Sequence, residues 1–237
     1  MPATRPLIAL VCFLLSIGFA ASPFLVTDFA GFDPDQFPVP QDNPPVQPAG
    51  YAFAIWGLIY LWLILGLGWG LLKARQDGQW HDMRKPLSVS LAVGTLWLAV
   101  AVASPIWASV LIWVMLLTAL AALFVAPVSD PVWAAWPVGL YAGWLSAASC
   151  VSLGLLAAGY GLMDQTTAAL VCVGLAIVIG GLLQTALGRV PTYGIAVIWA
   201  LVALVVQNQA TTPVVAYLAG FGALVVLLPT LMAFRKT

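Results

Sequence analysis

The sequence predicts an all-α fold: a polytopic transmembrane helix bundle of eight spans with both chain ends on the cytoplasmic side. Three observations carry this reading. First, 63% of the residues are hydrophobic and only 7% are charged, whereas soluble domains carry about 25% charged residues. Second, the apolar runs reach about 20 residues, the length a helix needs to cross a bilayer. Third, one topology places all eight Lys and Arg residues on a single side.

The spans follow from their breakers. The first covers residues 7–26, the second 51–72 and the third 87–103. Ser104-Pro105 then interrupts the pattern. Proline biases the residue before it away from helix, so a hairpin is expected there and a fourth span at 106–126. The fifth, 132–158, is long enough to tilt or to emerge from the membrane. The sixth covers 166–187, after which Gly188-Arg189-Val190-Pro191 supplies a stop and a restart. The seventh and eighth cover 192–206 and 214–234. With this count Arg5, Lys73, Arg75, Arg84, Lys85, Arg189, Arg235 and Lys236 all lie inside, while Asp28, Asp33, Asp35, Asp42 and Asp164 lie outside. That is the positive-inside pattern. A competing reading takes Arg5, the following apolar stretch and Gly18-Phe19-Ala20 as a cleavable signal peptide. It would leave seven spans in the same orientation.

Two loops are long enough to read. The outer segment 27–50 holds six prolines, which fix φ and remove donors, so it should be extended or turn-like. It is a surface linker or a lid over a cavity; its Asp spacing matches no calcium loop. The inner loop 73–85 carries the basic residues, with Trp80 expected as an interfacial anchor and the lone His81 beside it. Cys12, Cys150 and Cys172 fall inside spans and read as packing residues, with no metal or disulfide spacing.

No Lys, Arg, His, Asp or Glu lies near the middle of any expected span. Proton-coupled pumps, voltage sensors and retinal proteins need such groups, and no nucleophile–base set is available for catalysis. No catalytic residue is therefore assigned, and no metal. The spans contain tryptophan instead, eleven in all. Trp107, Trp133 and Trp136 sit at span ends as interfacial anchors. Others lie deeper: Phe53, Trp56 and Tyr60 share one face of span two, and Tyr141 and Trp144 one face of span five. Such groups either pack helices together or line a cavity for a flat, partly polar ligand. Gly66 and Gly70 form a GxxxG, and Ser146, Ser149 and Ser152 recur every third residue, both compatible with helix–helix or dimer contacts.

Residues 48–60, Pro-Ala-Gly-Tyr-Ala-Phe-Ala-Ile-Trp-Gly-Leu-Ile-Tyr, resemble the entry to the second helix of the TspO/MBR family, the tryptophan-rich sensory proteins and translocator proteins. Trp69 and Lys73 match the way that helix closes. The run from Leu140 through Tyr141 and Trp144 to Ala148 is similar to the family's Pro-Tyr-Leu-Ala-Trp segment, and Trp97 corresponds to the tryptophan of its third-helix element. The departures are specific. Phe53 stands three residues before Trp56 instead of four, Leu140 replaces the motif proline, Ser152 replaces a motif Asn, and Gly94-Thr95 stand near the missing third-helix Asn.

The resemblance covers 1–158 as a five-helix bundle and leaves 159–237 as a three-helix membrane extension. It implies a non-enzymatic receptor or sensor in a bacterial cytoplasmic membrane, although the family leaves porphyrin-directed chemistry open. A transporter of a neutral or amphipathic solute is the alternative. The ligand-binding residues it implies are Pro48, Gly50, Phe53, Trp56, Tyr60, Trp97, Tyr141 and Trp144. No cofactor is required; the implied ligand is a porphyrin- or haem-type molecule. The expected partners are membrane lipid, that hydrophobic ligand and a second copy in a homodimer, with no nucleic acid.

Overall fold

The computed structural model describes residues 4–26 and 31–236; Asp28 of the outer loop lies outside them. Among these residues, eight helices are long and apolar enough to cross a membrane. They are α1 (Thr4–Leu25), α2 (Ile55–Lys73), α3 (Gly78–Ala103), α4 (Pro105–Phe124), α5 (Ala135–Gly159), α6 (Gln165–Leu187), α7 (Pro191–Asn208) and α8 (Pro213–Phe234). The chain is an integral membrane protein of all-helical fold.

The breakers act where the sequence places them. Ser104 caps α4, its hydroxyl accepting from the Trp107 amide at 3.4 Å, with Pro105 at the first helical position. Gly188 ends α6 in the left-handed region at φ 57°, and Pro191 opens α7. Asp164 caps α6 by accepting from Thr166 and Thr167, both at 3.0 Å. The Pro-rich outer segment is turn-like, with short 3-10 turns at Pro34–Gln36 and Gly50–Ala54.

Helix packing forms two rings that share one member. α1, α2, α5, α4 and α3 close a five-helix ring, and α5, α6, α8 and α7 close a four-helix ring. α5 is the common wall, and 72% of its apolar span is buried, the largest share of any helix. The serines of α5 serve both rings. Ser146 donates to the Ala142 carbonyl and accepts from Tyr193 of α7 at 2.9 Å. Ser152 donates to the Ser149 carbonyl and accepts from Ser109 of α4 at 3.0 Å. Gly66 and Gly70 are used within the chain. Gly66 lies against the Trp133 carbonyl and the Pro137 ring, and Gly70 against the Trp80 ring and Arg84.

The basic face differs from the expected loop. α3 begins at Gly78, so His81, Arg84 and Lys85 are helical and only residues 74–77 form the turn. Trp80 is not an interfacial anchor. It is fully buried, donates its indole N–H to Asp130 at 3.1 Å and carries the Arg84 guanidinium over its ring at 4.9 Å. Arg84, also fully buried, donates to the carbonyl of Ala74 at the end of α2 at 3.2 Å, where the helix dipole favours a cation. Charged residues pulled inward by such partners look like loop in a sequence. Trp107 is 62% exposed as an anchor should be, whereas Trp136 packs edge-on against Trp62 and Trp133 stacks on Trp69.

Candidate functional site

The entry to α2 is held from the far ring. No side chain of its own caps the turn at Gly50–Ala54. Instead, the Trp199 indole of α7 donates to the Ala52 carbonyl at 3.0 Å, and the Ala49 amide donates to the Ala203 carbonyl at 3.3 Å. Asn208, fully buried at the end of α7, donates to the Pro45 carbonyl at 2.9 Å. These bonds fix the outer segment across the acidic face and aim the first aromatic residues of α2 at α5.

Those residues form two layers. In the outer layer, Phe53 meets Trp144 edge-on at 5.8 Å. One turn deeper, Trp56 stacks on Tyr60 at 5.4 Å and meets Trp144 edge-on at 6.3 Å. Phe19 of α1 stands edge-on to Trp56, Tyr60 and Tyr141 at 5.7, 5.0 and 5.7 Å. Tyr141 donates to Ser90, which in turn donates to the Met115 carbonyl, so this phenol is satisfied inside the protein.

Above the aromatic floor lies a cavity of about 100 Å³. Pro48, Phe53, Trp97 and Trp144 line it, as does Phe32 of the outer segment. Trp56, Tyr60 and Tyr141 belong to the floor and do not line the cavity, and Gly50 is exposed with open space about it. Trp97 is fixed by donating its indole N–H to the Ala108 carbonyl at 2.8 Å. Trp144 is 2% exposed, lines the cavity and makes no indole hydrogen bond among the described residues; Trp113 and Trp136, outside the lining, also hold buried indole N–H groups without a partner.

The far wall comes from the four-helix ring: Cys172 and Val173 of α6, and Val197, Leu201 and Leu204 of α7. Sequence reasoning missed this wall and also Phe19. Small and aliphatic residues of a membrane helix carry no mark that separates a cavity wall from ordinary packing. Cys150 and Cys172 were read as packing residues, and both face the cavity. No Asp, Glu, Lys, Arg or His is among the lining residues, and no three metal-ligating side chains converge among the described residues. The lining is apolar and aromatic, without a charged side chain.

No curated protein and no solved structure is significantly similar to the chain. A family model described as TSPO-like protein matches residues 39–232, which takes in α2 through most of α8 and leaves out α1. The match covers well over half of the chain, so the protein belongs to the TSPO-like family.

Proposed function

We propose that the protein is a non-enzymatic membrane sensor whose cavity binds a flat, largely apolar ligand of the porphyrin type, in a bacterial cytoplasmic membrane. Trp144 carries this reading: its ring lines an apolar space between aromatic side chains, and its indole N–H makes no hydrogen bond among the described residues. A planar ligand stacked there would bury apolar area and accept that donor at its polar edge.

The cavity is contracted. Its roughly 100 Å³ compares with about 300–1,000 Å³ for pockets that hold drug-sized ligands. Admission of a macrocycle requires the outer segment to lift. Among the described residues the segment is held by the Val39 amide to the Gly159 carbonyl at 2.8 Å, the Gln36 side-chain amide to the Val102 and Ala101 carbonyls at 2.8 and 3.3 Å, and the contacts to Ala203 and Asn208. A transporter would need a path through to the basic face. The Phe19–Trp56–Tyr60–Tyr141 floor stands in that path, which favours the sensor.

The test is quenching of tryptophan fluorescence by a porphyrin in nanodiscs. Saturable quenching is expected, weakened about tenfold or more in Trp144→Ala and unchanged in the lipid-exposed control Trp107→Ala. Equal affinity in the two variants, or no saturation, defeats the proposal. Porphyrin counterflow into proteoliposomes would favour transport instead. Family membership extends the reading to a homodimer, which light scattering in detergent checks.

A further inference from the structure

The geometry points to a second site, on the basic face, for the phosphate of an acidic phospholipid headgroup. A crevice of about 420 Å³ opens there between the end of α4 and the α6–α7 turn. Leu123 and Phe124 form its α4 side, Leu187 and Val190 its α6–α7 side, and Arg189 and Lys236 supply charge. No acidic residue lines it. Neither cation has an ion-pair or side-chain hydrogen-bond partner among the described residues. Elsewhere on this face Arg5 donates to the Gln76 carbonyl, Arg84 to the Ala74 carbonyl and Lys85 to Asp82.

Two further features favour an anion with a tail. α7 starts beside the crevice, at Pro191 next to the lining residue Val190, so the positive end of its helix dipole lies near. α4 and α6 each pack on α5 but form no extended interface with one another. Leu117 is exposed two turns in from Phe124 on the same face of α4, and Leu182 one turn in from Ala186 on α6. A headgroup phosphate between Arg189 and Lys236 would thus have an acyl path beneath it. Basic pockets between helices on the cytoplasmic side are the usual form of such sites.

The experiment uses the delipidated full chain in detergent and native mass spectrometry, titrating phosphatidylglycerol, phosphatidylcholine and inorganic phosphate. Preferential retention of phosphatidylglycerol over phosphatidylcholine is expected. Arg189→Gln and Lys236→Gln should each lower it about fivefold. Lys73→Gln, on the same face but outside the crevice, should bind as the parent does. Equal retention of the two lipids, or an equal loss in all three variants, would mean general surface attraction and overturn the site. Displacement of phosphatidylglycerol by millimolar phosphate would assign the site to a free anion and overturn the lipid; resistance to phosphate supports it. The porphyrin titration is independent of every outcome here.

Discussion

Gly143→Ala tests the two-ring architecture where α5 meets the backbone of α7. An added Cβ on Gly143 of α5 would run into the backbone carbonyl of Tyr193 on α7 and come within 3.0 Å of the Ala196 Cβ. A main-chain carbonyl cannot rotate aside as a side chain can. The helices must separate, by on the order of 1 Å if ordinary contact distances are to be restored. A gap of that size forfeits a quarter to a half of the dispersion energy between atoms along the interface. Overpacking of this kind costs about 1–3 kcal/mol. Ala also gains up to about 1 kcal/mol over Gly in helix propensity. Gly174→Ala on α6 separates the two effects, because nothing lies within 4 Å of its added Cβ. The propensity gain is common to both variants, so their difference isolates the packing penalty. Thermal unfolding in detergent, followed by tryptophan fluorescence, reads it. Gly143→Ala should melt well below Gly174→Ala. Equal melting temperatures, or the reverse order, would refute the close α5–α7 contact and the shared-wall arrangement with it.

Asn208→Ala removes the hydrogen bonds to the Pro45 and Leu204 carbonyls. It should leave the helices assembled while raising protease cleavage within the outer segment, scored by intact mass. Tyr141→Phe removes one buried donor to Ser90, and a modest loss of about 0.6 kcal/mol is expected in a chemical-denaturation midpoint, the average for such bonds in membranes. Asp164 is held below the usual carboxylate range, first by the side-chain hydrogen bond from Thr167 and then by backbone amides. A lowered folded-state value means its charge stabilises the fold above the unfolded carboxylate range, and that contribution fades as pH falls through the folded value. Asp164→Asn keeps an N-cap without the charge, so its melting temperature should lie below the parent's at neutral pH and converge with it in acid.

The helix count was legible because each break has a local physical cause. Ser104-Pro105, Gly188 with Pro191, and the Asp164 cap all act within one turn of where they stand. The start of α3 was not legible. Asp77, Asp82, Arg84 and Lys85 mark that stretch as polar, and only tertiary partners such as Ala74 and Asp130 bring Arg84 and Trp80 inside. The aromatic part of the site was legible because Phe53, Trp56, Tyr141 and Trp144 share helix faces by spacing, and their rings do meet. Their division into a lining and a floor depends on Phe19, whose place is set by how α1 packs on α3, and spacing along one chain segment carries no such information. A stronger clue stood in α5. Gly139, Gly143, Ser146, Ala147 and Gly154 put small residues on several of its faces, as suits a helix surrounded by neighbours.

That surrounded helix has a consequence for any ligand in the cavity. Trp97 and Phe53 press on the space from the five-helix ring, and Val197 and Leu201 from the four-helix ring, with α5 as the wall common to both. Close-packed helices do not deform continuously, so enlarging the cavity must move whole elements. The outer segment lines the cavity without being one of the packed membrane helices, and two of its anchors, the Ala203 carbonyl and Asn208, belong to α7. Lifting it therefore releases groups on α7 and frees the α2 entry that Trp199 holds. A ligand that prefers the expanded state shifts both rings by no more than its differential affinity for that state. In this arrangement α6 and α7 are mechanically part of the site, because its cover is tied to α7 and its far wall is built from both.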